Sequence, residues 1–519
     1  MKSYKTQIFV FGLSLLASVS ALGQGGDYTA GELLTSSTKL ADAENTPVLV
    51  HPVPHPRQVK WMRTEFYAFF HYGMDTFTGE EWGDGSENPN TYNPTEQPNP
   101  EQWLQTAKNG HMKGGIAVVK HHDGFCLWPT QTTNHCISSS SGTYAKTDIP
   151  AAFAAAANKL GMKSGFYISP WDRNSQYYGD GSDKYVNEVF LRQCKELAGY
   201  GSDQFEMWFD GANGGSGYYG GAGGSRSIDR ATYYDVPNLR YMVHQMSPDC
   251  ILWGVGGEAR WIGNESGWAG QTNWCTANRV EGSDVSNAAY GHENGWMWLP
   301  GESDAKSSGG WFWSPSKNSY TSSEGLFAMY LKTVGRNATL ILNLPPTTNG
   351  KLHDNLVTQI NGLGNLLTQR LGTNLASAAS GATIESATAS RANGQTVTYN
   401  ASNVLDGNEE TYYATDDNTN TCTITVKLPA TKVIHYVMMQ EHIALGQRVK
   451  AFNLQYSTDG STWNTFGQGE EFTTIGYKRI IPWNGTADSY GAAGVQARYV
   501  RLNITDSKAC PCIENIEIF

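Results

Sequence analysis

Phe205-Glu206-Met207-Trp208-Phe209-Asp210-Gly211-Ala212 is an apolar run that ends in a carboxylate, with a glycine-rich stretch starting directly behind it. Its apolar length suits a strand buried on both faces. A carboxylate just past such a strand is poorly placed for packing and well placed for chemistry. In a barrel of parallel strands, side chains at the C-terminal strand ends converge on one pocket. A turn-capping Asp would account for Asp210 alone, so the fold depends on whether other segments end the same way.

They do. Short apolar runs recur at 66–70, 115–120, 164–169, 251–254, 310–313 and 338–342, with helix-length amphipathic stretches at 100–109, 151–160 and 185–199. This alternation predicts an α/β domain over 51–370, most simply a (β/α)8-type barrel. An open doubly wound sheet is the competing arrangement, although no GxGxxG turn follows the first run as a dinucleotide fold requires. Polar and aromatic residues follow the runs in succession. They are His71, then His121, His122 and Asp123, then Trp171 and Asp172, then Asp210, then Arg260, Trp261 and Glu265. In a barrel all of them face one pocket.

The rest of the chain bounds the setting. A length of 519 residues calls for two domains. After about residue 370 the helical period gives way to short alternating strands at 423–427, 451–456 and 497–503, with an Asp459-Gly460 hairpin signal. This predicts an all-β jelly-roll sandwich over 371–519. The 16 Trp and 27 Tyr suit stacking on sugar rings as well as a large aromatic core, and a net charge of −11 speaks against a nucleic-acid surface. At the N-terminus, Lys2 and Lys5, the apolar stretch 8–17 and the small residues behind it read as a signal peptide over 1–23, followed by a lead segment over 24–50. The expectation is a periplasmic or secreted protein with no membrane insertion, because no later run approaches the length of a span. Its eight Cys would then meet an oxidising compartment that permits disulfides, and they show no metal-type spacing.

Three chemistries compete for the pocket. A metal site drawn from His121, His122 and Asp123 is disfavoured, since neighbours on a strand point to opposite faces and no HxH or HExxH spacing appears. A Ser-His-Asp hydrolase lacks its Gly-x-Ser-x-Gly elbow. Glycoside hydrolysis needs two carboxyl groups, and Asp210 with either Glu258 or Glu265 supplies them.

Several stretches resemble the motifs of exo-acting α-L-fucosidases: His71-Tyr72-Gly73, Glu81-Trp82-Gly83, Lys120-His121-His122-Asp123-Gly124-Phe125, Gly165-Phe166-Tyr167, Ser169-Pro170-Trp171-Asp172, Trp208-Phe209-Asp210-Gly211-Ala212 and Arg260-Trp261-Ile262-Gly263-Asn264-Glu265. The last is similar to the branch specific for α-1,3/1,4-linked fucose. The resemblance implies a retaining double displacement on fucosylated glycans, with Asp210 as nucleophile, Glu265 as general acid/base and no cofactor required. His71, Glu81, Trp82, His121, His122, Tyr167 and Arg260 would bind the sugar. Asp75 departs from the family, which commonly has Asn there, and Glu258 stands near enough to compete with Glu265. The C-terminal part resembles discoidin-like carbohydrate-binding modules through Asn403-Val404-Leu405-Asp406-Gly407-Asn408 and Tyr456-Ser457-Thr458-Asp459-Gly460. That resemblance implies a structural Ca2+ near Leu405-Asp406-Gly407, with Asp406, Asp416 and Asp417 as a solvated alternative.

Overall fold

The structure is a computed structural model that describes residues 45–201, 204–211, 213–280, 282–484 and 494–519. The proposed signal peptide and most of the lead segment lie outside the described residues.

Eight strands form one sheet: β1 (Phe66–Phe70), β2 (Gly114–Lys120), β3 (Lys163–Ile168), β4 (Gln204–Trp208), β5 (Ile251–Leu252), β6 (Arg260–Trp261), β7 (Gly301–Lys306) and β8 (Ala338–Asn343). The sheet runs β5-β4-β3-β2-β1-β8-β7-β6, and every neighbouring pair is parallel. It curls as a (β/α)8-type half-barrel whose edges, β5 and β6, share no ladder. The strands are apolar because both faces are covered, one by the barrel interior and one by helices. Helices Pro100–Asn109 and Ile149–Leu160 carry Pro in their first turns and side-chain N-caps from Asn99 and Asp148. Each packs its apolar stripe on the sheet in the gap between consecutive strands.

One expectation is corrected. The run 310–313 is not a strand; the strand at that place is β7, whose sequence Gly-Glu-Ser-Asp-Ala-Lys carries no apolar run. Its acids point into the barrel and are satisfied there. Glu302 accepts from Trp208 Nε1 at 2.6 Å and from Tyr67 Oη, and Asp304 accepts from Trp261 Nε1 at 2.7 Å. Burial with polar partners replaces hydrophobicity as the reason for the strand.

Behind the barrel, strands of 375–519 form a five-stranded and a four-stranded antiparallel sheet around their own apolar core. Asp459 caps the turn expected there, its Oδ1 accepting from Ser461 N and Thr462 N, and Gly460 takes φ +77° between Val449–Ser457 and Asn464–Thr465. Two of the sandwich's loop carboxylates have their own partners. Asp406 accepts from Asn408 N and Thr411 Oγ1, whereas Asp417 is held by Arg391 at 2.9 Å. All eight cysteines are buried thiols. The lead segment's described end lies on the sandwich, where Val48 N donates to Asp417 Oδ1 and Val50 N to Leu445 O.

Candidate active site

The C-terminal strand ends open into a cavity of about 690 Å3. Just beyond β1, His71 Nδ1 lies 2.8 Å from Asn343 Oδ1, and Asn343 Nδ2 donates to Trp311 O at 2.7 Å. The amide orientation is thus set by the carbonyl, so His71 Nδ1 carries the hydrogen and its Nε2 lone pair is left for the cavity. Beyond β2 the strand geometry has ended, and the two histidines lie side by side with ring centroids 4.1 Å apart. His122 Nδ1 is 2.7 Å from Ser169 Oγ, whose own hydrogen goes to Trp171 O at 2.8 Å. His122 is therefore a donor at Nδ1 and an acceptor at Nε2. His121 Nδ1 lies 3.1 Å from Asp75 Oδ2. Burial holds His71 and His122 well below the usual imidazole range and His121 down to about 4, so all three are neutral near pH 7. Asp123 and Asp172 do not line this cavity: Asp123 accepts from Phe125 N, and Asp172 pairs with Lys120 at 2.7 Å.

Asp210 follows β4. Gly211 N donates to its Oδ1 at 2.7 Å, and Tyr167 Oη donates to Oδ2 at 3.4 Å. His122 Nε2 stands 3.8 Å from the same oxygen. Enclosure by Trp171, Trp208, Tyr167 and the histidines pushes the carboxyl up from its ordinary value, opposed by His121, the Gly211 amide and Tyr167. The side chain is still 47% exposed to the cavity. Tyr167 is wholly buried beneath it, between the rings of His121 and Trp208.

Glu265 stands on the same cavity, its Oε2 accepting from Lys306 Nζ at 2.9 Å and Trp311 Nε1 at 3.3 Å. Its charge reaches Asp210 and adds to the upward push there. Glu81 accepts from Trp311 N at 3.2 Å and Lys317 Nζ at 2.5 Å. Trp82 is 60% exposed at the rim, edge-on to His122 and Trp171. Arg173 ties that rim together, donating to Gly83 O at 2.5 Å and to Ser216 O at 2.8 Å.

Two residues have their charged groups engaged by the protein itself. Arg260 touches the cavity wall, but its guanidinium donates to Ala288 O, Leu299 O and Asn273 Oδ1, and burial lowers it to about 10. On the short strand β6 it alternates with Trp261, and it is Trp261 that bonds to the inward-pointing Asp304. Glu258 lies outside the cavity, 1% exposed. It is held by Arg57 at 3.2 Å, His244 at 3.4 Å and Leu252 N at 2.8 Å. Burial would raise its carboxyl, yet the His244 bond and the His244 and Arg57 charges bring it down to about 2.

Lys306, Asp304 and Trp311 line or hold the site without having been singled out. The first two lie on the polar strand β7, and Trp311 lies in the run read as a strand. Tryptophan and glycine crowded just after a strand was the available signal for Trp311. The glycine-rich stretch behind Asp210 forms a short antiparallel pair, Gly214–Ser216 with Ser225–Ser227, and its first strand walls the cavity.

A profile of the α-L-fucosidase family matches residues 43–370, and one of the F5/8 type C domain matches 386–516. Alpha-L-fucosidase 1 of Arabidopsis thaliana is 30% identical over 492 residues, covering 94% of this chain and 90% of that protein. A glycoside hydrolase 29 family member from an unknown rumen bacterium shares 34% identity with a TM-score of 0.76, over 91% of this chain and 78% of that one. A GH29 fucosidase of Ruminococcus gnavus, solved in complex with fucose, shares 29% identity with a TM-score of 0.80, over 92% and 97%. The catalytic-type barrel, the paired carboxylates on one cavity and these likenesses make the chain a member of the α-L-fucosidase family, a glycoside hydrolase of family 29 with a C-terminal F5/8 type C domain.

Proposed function

We propose that this α-L-fucosidase is exported and removes terminal α-1,3/1,4-linked fucose from Lewis-type branched glycans by a retaining double displacement. The observation that carries the mechanism is that Asp210 and Glu265 stand on one cavity in different settings. Asp210 is set among rings and aimed by an amide and a tyrosine, while Glu265 is paired with Lys306 and accepts from Trp311. Two carboxyls in unlike environments are what a nucleophile and an acid/base require. Asp210 attacks the anomeric carbon as the C–O bond to the aglycone breaks, and Glu265 protonates the departing oxygen. Glu265 then takes a proton from water, which displaces Asp210. His71, His121 and His122 are neutral and serve the sugar hydroxyls as hydrogen-bond partners. Trp82 is the apolar wall for the C5 methyl. The branch assignment is supported by the Gly263-Asn264-Glu265 ending and by a cavity that extends past Asp210 to Asn213, Arg230 and Asp284, leaving room for sugars flanking the fucose. Export rests on the leader-like residues 1–23.

The test is fucose release from Lewis x and Lewis a trisaccharides beside 2′-fucosyllactose and an aryl fucoside, with NMR of the first-formed anomer. Release from the Lewis sugars as α-fucose, lost by a factor of at least about 10^3 in Asp210→Ala, supports the proposal. Release from 2′-fucosyllactose but not the Lewis sugars overturns the linkage, and β-fucose as first product overturns retention.

A further inference from the structure

Asp75 carries a problem that the mechanism above does not use. It is fully buried, and its Oδ1 has no hydrogen-bond partner. Its Oδ2 faces His121 Nδ1 at 3.1 Å. Ligand-type atoms of Asp75, His121 and Asp123 all lie within 4.8 Å of one another, and Asp123 is 1% exposed. The other charged groups facing this cluster are mostly acidic. Glu87 is held by Asp84 N and Gly85 N, Glu81 lies towards the cavity, and Asp172 is paired with Lys120. His135 Nε2 stands 4.0 Å from Asp123 Oδ1, and Arg173 is spent on backbone carbonyls. Burial, then the charges of Glu87 and Glu81, raise Asp75 against the Gly83 backbone amide and the Arg173 charge, and burial with Asp75, Glu87 and Asp172 raises Asp123 against the Phe125 amide. The net push on both buried acids is towards the protonated form.

The Oδ1 side of Asp75 is crowded. A Cβ added at Gly83 would lie 2.5 Å from Glu87 Oε1, 2.9 Å from Asp123 Cβ and 2.9 Å from Asp75 Oδ1. The Gly83 backbone thus closes the side of Asp75 that faces Glu87, leaving little room for an ion there. A proton needs no such room. An orphaned carbonyl oxygen at Oδ1 also costs far less than an orphaned carboxylate oxygen.

We propose that Asp75 is a positioning residue that works as a neutral acid: its Oδ2–H donates to His121 Nδ1 and thereby puts the ring hydrogen of His121 on Nε2, towards the fucose site. This rests on the cavity being that site, as set out under Proposed function. The three histidines then present two acceptors, His71 and His122, and one donor, His121, to the sugar hydroxyls. Ionising Asp75 reverses the bond, because a carboxylate only accepts. Nδ1 must then carry the hydrogen, Nε2 becomes a third acceptor, and the sugar loses its donor. An Asn at 75 would donate through its amide at every pH.

The experiment is calorimetric titration of L-fucose into wild type and Asp75→Asn, both EDTA-treated, from about pH 6 to about pH 9.5, with thermal unfolding over the same range. The expected result is a wild-type affinity that falls roughly tenfold across the range, against less than about threefold in Asp75→Asn. Unfolding gives a second readout. An acid whose native pKa is raised binds more protons folded than unfolded, so its contribution is full below about pH 4 and is lost as pH rises through the native value. Wild-type Tm therefore declines relative to the variant as pH rises. Equal pH dependence of fucose affinity, or parallel Tm curves, overturns the proposal. So does wild-type affinity lost on EDTA treatment and restored by a divalent cation. If wild type binds no fucose at about pH 6, the reading of the cavity fails instead, and the Tm curves alone decide for Asp75.

Discussion

Asp210 and Glu265 show how little of a catalytic pair is in the residues themselves. Both are carboxylic acids; one is set among rings and aimed by an amide and a tyrosine, the other is paired with Lys306. Glu258 is the same functional group put to structural use, tying Pro56–Met62 to β5 through Arg57 and Leu252 N. The two glutamates therefore respond differently to the same change. Glu265→Gln should lower kcat by about 10^2 to 10^4 on a trisaccharide and far less on a substrate with an activated leaving group. Added azide should restore turnover and yield α-fucosyl azide, read by mass spectrometry and NMR. Glu258→Gln should instead cost about 3 kcal/mol of stability, seen in denaturant unfolding, by stranding a buried guanidinium. Because the native carboxyl is depressed to about 2, its stabilisation is present above the ordinary Glu value of ~4.3. It is lost as pH falls towards about 2, so the two unfolding curves should converge in acid.

At the scale of elements, the site depends on where strands stop. β4 ends at Trp208, and Phe209 and Asp210 continue past it into the loop. Gly254, at φ +70° just after β5, backs directly onto that extension: an added Cβ would lie 2.0 Å from Phe209 O. That contact is backbone against Cβ and cannot be relieved by a rotamer. Gly254→Ala should displace the Phe209-Asp210 turn, lowering kcat/KM by about tenfold or more and the stability by 1–3 kcal/mol, roughly the cost of one strained site. Wild-type activity in this variant would show that the turn yields without moving the carboxylate. The same scale explains the misplaced strand. β7 is recognised by pairing with β6 and β8, while its inward acids find Trp208, Tyr67 and Trp261, and none of those partners is local in sequence.

At the scale of the molecule, the sandwich is part of the barrel's packing. Tyr436, Met438 and Ile480 join the barrel's apolar core, with Tyr436 against Phe327. Ile480 N donates to Gly335 O at 2.9 Å, and Asn337 accepts Tyr477 N at 2.7 Å. Glu65, immediately before β1, is buried and pairs with Lys478 of the sandwich and Lys113. Burial would raise its carboxyl, but the two lysines bring it down to about 2. Lys478→Met should cost about 3 kcal/mol at neutral pH. The loss should shrink as pH falls below the ordinary Glu value of ~4.3, where the wild-type pair contributes less. Calorimetry should show wild type unfolding in one transition; two separated transitions would mean that the shared core does not couple the domains.

Much of this was legible before any coordinates. Apolar runs of strand length, helix-length amphipathic stretches between them and polar residues past several runs are local patterns, and they led to the barrel and to the strand ends that carry His71, His121, His122 and Asp210. Strand-to-helix period and turn chemistry act over a few residues, so a linear string can state them. The string put Glu265 ahead of Glu258 only through a resemblance, said nothing of what holds Arg260, and hid β7. Those settings turn on partners that arrive from 13 to 201 residues away, such as Lys306 for Glu265, Arg57 for Glu258 and Asn273 with Leu299 for Arg260. A carboxylate or guanidinium takes its role from its nearest opposite charge and its exposure to water, and only the folded chain sets either one.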